Sequence, residues 1–414
     1  MSGARVNLRH LHCFCEVAKR RSISAASKSA HLSQPAITQA LAKLEAELAT
    51  PLFERRSSGM YLTRAGDAYH ARVGRALQEL ESGAKEALKA GQRNDSKGFA
   101  SFHRMLTAAQ LRALVAVVET GNFSLAARAA GVSQPTIHRG ARDLERLAGV
   151  KLFQKTSLGI QPTRAAKLLA RRAKLAFNEI EHGRAEIDAL GGRDAGRIAV
   201  GAMPLARAYI LPKALTALTR EFPGHQVSIV DGPYEHLLSG LRHGDIDLLL
   251  GALRDPAPID DIRQEPLFDD PLAIVMRARH PLAGKRKASV EALADYPWIA
   301  PRIGTPLRKR FHALFENAGV DPPEHVIECS SVMAARALLL ESDRLTLLSP
   351  HQVRYELKAG LLAAAPHPFG EVARAIAITT RKEWAPTRAQ TRLIELLGET
   401  ARALGDGDVY SVFE

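Results

Sequence analysis

Cysteine is scarce. Three residues in 414 cannot build a disulfide framework, and a reducing compartment is the simplest setting for them. Cys13 and Cys15 stand two apart on a helical pattern, where side chains diverge and cannot bridge. Cys329 is expected as a buried small hydrophobe. No run of about 18 apolar residues could span a bilayer, and no segment near the N-terminus has the apolar core of an export signal. A cytoplasmic location without membrane attachment is therefore expected. The 15 histidines show no spacing with cysteine or carboxylate partners that suits a metal. A glycine-rich phosphate loop, a nucleophile elbow and paired carboxylates at productive spacing are also missing. No metal, cofactor or catalytic residue is expected.

Acidic residues are scarce in one half only. Residues 1–194 hold 31 Lys and Arg against 17 Asp and Glu, whereas residues 195–414 hold 26 against 27. Solvated basic helices would spread the charge more evenly, so the one-sided excess points to a polyanionic partner, nucleic acid or anionic membrane. The basic half is also duplicated. Shifting the chain by 100 positions lays LSQPAITQALAKLE (32–45) over VSQPTIHRGARDLE (132–145), with 19 identities among the 62 ungapped positions from residue 11 to residue 72. Two copies this short read as duplicated binding modules and not as a solenoid.

Each copy has the punctuation of a helix-turn-helix. Apolar residues recur at helical spacing from Leu111 to Val118, and Gly121 supplies a left-handed stop. Ser124 is expected to cap a second, alanine-rich helix ending at Ala130, and Gly131-Val132 makes the turn. Ser133 then caps a third helix, with Pro135 in its first turn where the missing N–H costs little. Such a third helix enters the major groove by its N-terminal end. Ile137, Ala141 and Leu144 should face inward, which leaves Gln134, Thr136, His138, Arg139 and Arg142 outward. The first copy offers Gln34, Ala36, Thr38, Gln39 and Lys43 on that face, beside Ser33 and Pro35. Gln pairs with adenine and Arg with guanine, so the copies should read different bases. Leu52–Thr63 and Leu152–Thr163 read as two-stranded wings with Gly at the tip, placing Arg55, Arg56 and Lys155 against phosphate.

With these residues in order, each copy resembles the winged helix-turn-helix of the LysR-type transcriptional regulators, whose motif runs approximately A-A-x-x-L-x-x-S-Q-P-A-x-S-x-x-I-x-x-L-E and ends in L-F-x-R and L-T-x-A-G. The resemblance covers residues 6–66 and 106–166. Arg21 stands where the family and the second copy have Gly121, and Gln39 where Arg139 stands. Pro162 replaces Leu62, and Ala166 replaces Gly66. The resemblance implies promoter binding to double-stranded DNA, a small-molecule effector and a homo-oligomer.

Proline-free segments follow both wings, Arg64–Ala90 and Arg164–Leu190. Steps of four and three pick out Tyr69, Val73, Ala76, Leu80, Gly83, Ala87 and Ala90 in one, and Leu169, Ala173, Ala176, Ile180, Gly183, Ile187 and Leu190 in the other. Both read as seams of a helix pair. The resemblance makes this the dimerisation helix, paired antiparallel. Duplication within one chain suggests that the two helices pair with each other, in a register near Leu80 and Ile180, and that a homodimer through the effector regions presents four DNA-binding domains; the competing arrangement pairs each linker helix with its counterpart in another chain. The expected layout is winged domains at 6–66 and 106–166, linker helices at 67–90 and 167–190, a flexible connector at 91–105, and an effector domain at 196–405.

The last region alternates strand and helix from Gly196 onward, which suggests a parallel sheet with helical crossovers in two α/β lobes. The stretches at 197–212, 221–224 and 241–251 resemble the effector domain of the same regulators, built like a periplasmic solute-binding protein. GTPLRKRF and residues 342–353 resemble the subfamily named for a galactose-binding-protein regulator. The expected fold class is thus multidomain α and α/β. Strand ends on the shared crevice give Met203, Leu205, Arg207 and Tyr234 from one lobe and Thr305, Arg308, Ser330 and Ser331 from the other. Arginine favours an anionic metabolite. The competing reading is an α/β enzyme or solute-binding protein with an accessory nucleic-acid-binding region.

Overall fold

The computed structural model describes residues 7–92, 99, 101–157, 159–193, 195–284 and 288–405. Two compact units divide the chain at Gly196 and Arg197. In the first unit the duplication is repeated element for element. The first copy runs α1 (Leu8–Arg20), α2 (Ile23–Ala30), α3 (Gln34–Leu48), β1 (Phe53–Arg56), β2 (Gly59–Leu62) and α4 (Arg64–Ala90). The second runs α5 (Ala108–Thr120), α6 (Phe123–Ala130), α7 (Gln134–Ala148), β3 (Phe153–Thr156), β4 (Gly159–Pro162) and α8 (Arg164–Leu190).

The identities shared by the copies are the residues that close each module. Ser33 and Ser133 accept from the amides of Ala36 and Thr136 and start α3 and α7. Glu45 Oε1 accepts from the amides of Leu52 and Phe53 at 2.7 and 3.2 Å, and Glu145 does the same for Leu152 and Phe153 at 2.8 and 3.2 Å. The repeated Leu-Glu and Leu-Phe pairs therefore belong to one device, which hangs the wing on the recognition helix. Thr63 and Thr163 cap α4 and α8, and each hydroxyl donates across to the carbonyl of residue 51 or 151. One expectation needs correction: Asn122, not Ser124, caps α6, its side chain accepting from Ser124 and Leu125. That places Phe123 inside the helix, where its ring is buried.

The copies differ at their helix ends. Gly121, Gly131 and Gly149 close α5, α6 and α7 in the left-handed conformation. At the same places the first copy has Arg21, His31 and Ala49, all at positive φ, where a Cβ is costly.

The long helices pack on each other within the chain, antiparallel and seam to seam. A Cβ built at Gly83 would lie 2.7 Å from Arg172 Cβ, and one at Gly183 would lie 2.8 Å from Tyr69 Cδ2 and 3.0 Å from Arg72 Cβ. Both glycines therefore sit where the partner helix leaves no room for a side chain. The midpoint of this register falls at Ala76 and Ala176, which corrects the expected crossing: Leu80 and Ile180 stand roughly 10 Å apart along the axis at 1.5 Å per residue. Of the seam residues, Ala90 is half-buried and Leu190 exposed, while the rest are buried. An ion-pair clasp flanks the seam in duplicate. Arg72 pairs with Glu179 and Glu186, and Arg172 with Glu79 and Glu86.

Much of the expected flexible connector, residues 93–98 and 100, lies outside the described residues. Its C-terminal end is anchored. Phe99 donates its amide to Leu147 O, and Phe102 is fully buried in a short 3₁₀ turn against α1 and α4.

The second unit contains two five-stranded sheets. Lobe one is built from β5 (Gly196–Ala202), α9 (Pro204–Arg207), α10 (Ile210–Glu221), β6 (His225–Val230), α11 (Tyr234–His243), β7 (Leu248–Ala252) and β8 (Ile262–Pro271). The chain then crosses to lobe two: β9 (Ala273–Arg277), α12 (Val290–Ala294), β10 (Trp298–Ala300), α13 (Pro306–Glu316), β11 (Val326–Glu328), α14 (Val332–Leu340), β12 (Leu345–Leu348), a 3₁₀ turn at Pro350–Val353, α15 (Arg354–Lys358) and β13 (Leu362–Pro366). It returns to lobe one as β14 (Ala373–Arg381) and α16 (Arg388–Gly405). The strand orders are β6-β5-β7-β14-β8 and β11-β10-β12-β9-β13. The expectation of a parallel sheet holds for β5 with β7 and for β10 with β11 and β12. It fails for β14, which runs antiparallel to β7 and β8, and for β9, antiparallel to β12 and β13. Those strands come directly after the crossings between lobes, so they enter their sheets from the opposite end. Apolar clusters fill both faces of each sheet.

Candidate nucleic-acid interface and effector crevice

Both recognition helices turn a polar face to solvent. Ile37 and Leu44 in α3, and Ile137, Ala141 and Leu144 in α7, are buried. Gln34, Pro35, Thr38, Gln39 and Lys43 are exposed, as are Gln134, Pro135, Thr136, His138, Arg139 and Arg142. The faces do not align residue for residue at their far ends, because Arg142 corresponds to Ala42 and Lys43 to Asp143. A shallow concavity of about 640 Å³ runs along α7, lined by Gln134, His138, Arg139, Arg142 and Arg146.

Some of these side chains already have local partners. Thr38 donates to the carbonyl of Gln34, Gln134 accepts from Ser124 at 3.0 Å, and the His138 ring meets Phe123 edge-on. Arg142 leans on Glu145 at 3.4 Å. On the wings, Arg55 and Lys155 are exposed, while Arg56 pairs with Glu54 at 2.9 Å and lies over the Tyr61 ring. Arg21 covers the same ring. That stack is a basic feature of the first wing that spacing alone did not reveal. Cations, helix N-termini and a protruding wing form the type of surface that binds duplex DNA.

In the second unit the residues expected to line the crevice fall into separate environments. Met203 starts α9 and packs against Gly251, where a Cβ would lie 2.8 Å from Met203 Cγ. Leu205 is half-buried beside the lobe-one core. Arg207 Nη1 pairs with Asp231 at 2.7 Å. Tyr234 packs under α11 with Leu237 and Leu241, and the Arg254 guanidinium lies 3.7 Å from its ring centroid. Burial pushes the Tyr234 phenol upward, partly offset by that cation. Thr305 caps α13 and Ser331 caps α14, so both hydroxyls are engaged with backbone amides. Arg308 is held in lobe two by His312 at 2.9 Å and by the Pro301 carbonyl at 3.0 Å. Ser330 is exposed. Cys329 is half-buried rather than buried, and its thiol donates to Ser331 O.

What joins the lobes lies elsewhere. α9 packs against the 3₁₀ turn at Pro350–Val353, and Arg354 covers the Tyr209 ring. At the strand crossings the buried carboxylate of Asp270 accepts from Arg374 at 2.8 and 3.0 Å and from Ser349 Oγ. Arg374 also donates to Gln352. This cluster was missed because its members stand 79 and 104 residues apart. A separate concavity of about 330 Å³ lies on the flank of lobe one between β8 and α16, where three carboxylates, Glu265, Glu395 and Glu399, outnumber the single cation Arg402 and disfavour an anion.

A profile described as "Bacterial regulatory helix-turn-helix protein, lysR family" matches residues 8–67 and again residues 108–167, and one described as "LysR substrate binding domain" matches residues 191–402. The chain belongs to the LysR family. It is a DNA-binding transcriptional regulator with an effector-binding domain, not an enzyme. The HTH-type transcriptional regulator GalR of Pseudomonas putida is 34% identical over 375 residues, which cover 91% of this chain and 92% of that one. The regulator GbpR of Azospirillum brasilense is 28% identical over 58% of this chain and 70% of its own. A full-length OxyR variant of Pseudomonas aeruginosa superposes with a TM-score of 0.55 at 25% identity, covering 72% of this LysR chain and 95% of its own. Part of this chain therefore has no counterpart in that structure, as a second winged module requires. Among the described residues no helix is long and apolar enough to cross a membrane.

Proposed function

We propose that this regulator acts in the cytoplasm and that a small anionic metabolite, bound between the lobes of the second unit, controls its grip on promoter DNA. The observation that carries the reading is α9 of lobe one packed on Pro350–Val353 of lobe two, with Arg207 the last residue of α9 and Arg354 the first after the turn. A ligand carboxylate has a bidentate partner in Arg207, provided that it displaces Asp231. Lobe closure on the ligand would then favour one arrangement of the chain over another by the difference in affinity for the two. We further infer a homodimer through the second units, so that two chains present four winged modules and two effector sites.

Melting of the full chain is measured against a panel of small carboxylates. At least one compound raises the melting temperature in the wild type and none does in Arg207→Ala, while Asp231→Asn, which frees the arginine, enlarges the shift. An equal shift in Arg207→Ala removes this arginine from the site. Footprinting of promoter DNA with and without the active compound then shows whether binding reaches the DNA.

A further inference from the structure

We propose that the first unit of a single chain reads a DNA site built of two unlike half-sites in one fixed orientation. The inference rests on the regulator reading and deepens it by specifying the DNA. A two-fold head with identical recognition helices reads an inverted repeat, because the symmetry of the protein is mirrored in the operator. Here the two-fold relation exists within the chain: α4 and α8 cross at Ala76 and Ala176, Gly83 meets Leu169 and Arg172 as Gly183 meets Tyr69 and Arg72, and the Arg-Glu clasp occurs on both sides. The recognition helices carried on that frame are not the same.

α3 presents Ala36, Thr38, Gln39, Ala42 and Lys43, while α7 presents Thr136, His138, Arg139, Arg142 and Asp143 at the same positions. Glutamine reads adenine in the major groove, alanine and threonine meet the thymine methyl, and arginine reads guanine. The half-site under α3 is thus the richer in A·T, with Lys43 as its one cation on that face, whereas α7 brings Arg139 and Arg142 and its half-site is the richer in guanine. Several contacts have no two-fold counterpart, so the frame itself distinguishes the two modules. Arg75 pairs with Glu179, Lys174 with Glu119 and Arg184 with Glu47, and Lys151 N–H donates to Gln92 O. The copy-exchanged positions are Leu175, Gly74 with Lys19, and Ala84 with Leu147, which cannot form those ion pairs.

Selection of binding sites from a random duplex library by the full chain tests this. The expected product is a motif of two different half-sites at constant spacing and orientation, bound about tenfold or more tightly than a duplex with either half-site duplicated as an inverted repeat. Exchanging the solvent face of α3 for that of α7 (Ala36→Thr, Thr38→His, Gln39→Arg, Ala42→Arg and Lys43→Asp together) changes only exposed positions. That variant should select an inverted repeat of the guanine-bearing half-site. An inverted repeat, or one half-site alone, selected by the wild type overturns the inference and leaves the regulator reading standing. Enrichment of no sequence by the wild type overturns both.

Discussion

Gly183 allows the pairing of the long helices to be measured. A methyl group there would lie 2.8 Å from the Tyr69 ring and 3.0 Å from Arg72 Cβ, and Tyr69 is itself fully buried. Two effects oppose each other in Gly183→Ala. Removing a mid-helix glycine gains about 1 kcal/mol of helix propensity, whereas overpacking a close interface costs about 1–3 kcal/mol. The partner helix supplies a control, because Gly74 in α4 faces open space with nothing within 4 Å of a built Cβ. Gly74→Ala should therefore stabilise by up to about 1 kcal/mol, and Gly183→Ala should fall below it by about 1–3 kcal/mol. Gly183→Leu should destabilise further by prising the seam apart. Urea denaturation of the full chain reads both units separately. The two tryptophans, Trp298 and Trp384, lie in the second unit, so their fluorescence follows that unit alone, and the far-ultraviolet helix signal, to which both units contribute, gives the first unit's transition by difference. With a slope of about 1–3 kcal/mol per molar urea, the two alanine variants should separate by about 1 M in the helix midpoint and coincide in fluorescence. If Gly183→Ala stabilised as much as Gly74→Ala, the close approach of α4 and α8 would be refuted.

Other perturbations probe the same structure. Cysteines at Ala76 and Ala176, with Cys13, Cys15 and Cys329 replaced, should oxidise to an intrachain disulfide at high dilution, and chain-to-chain products alone on a denaturing gel would contradict the register. Arg139→Ala should lose about 1–3 kcal/mol on the cognate site and relax one base position; an equal loss on every sequence in a competition assay would make it a phosphate contact. Ala49→Gly, which relieves a side chain at φ 49°, should raise the first unit's stability by about 1 kcal/mol, read from the same helix midpoint. Burial, reinforced by His103 and Arg104, pushes the His12 imidazole down to about 4. The unfolded chain therefore takes up that proton more readily, and its contribution is whole above about pH 6.5 and lost as pH falls toward 4, by up to about 3 kcal/mol. His12→Gln should flatten that slope, and an unchanged slope would assign it to other groups.

The first unit was legible in the sequence to the residue in places, because its signals are local. Thr63 and Thr163 start the long helices, the segments to Ala90 and Leu190 hold no proline, and Ser33 and Ser133 cap where expected. Register was not legible, for a geometric reason: sliding an antiparallel pair by one heptad preserves an apolar seam, and only Gly83 and Gly183 against bulky partners select one setting. In the second unit β8 escaped notice because it is an edge strand carrying Glu265, Pro266, Asp269 and Asp270, and edges tolerate such residues. The alanine run of β13, at an edge of the lobe-two sheet, reads as helix. α16 had a signal, with Leu393, Leu397, Ala401 and Leu404 at helical spacing and all buried. The link between lobes depends on Asp270, Ser349 and Arg374, whose proximity is created by the fold.

The bond from Lys151 to the carbonyl of Gln92 and the burial of Phe102 have a kinetic consequence. In a head assembled from two molecules, α4 must find its partner by diffusion, and assembly falters when copies are few. Here the partner is tethered, and a short tether holds it at an effective concentration on the order of millimolar. Formation of the paired winged modules is thus first order and insensitive to dilution. A cell holding only a few copies of this chain would still hold complete DNA-reading heads, and any response to protein abundance would have to come from the pairing of whole chains.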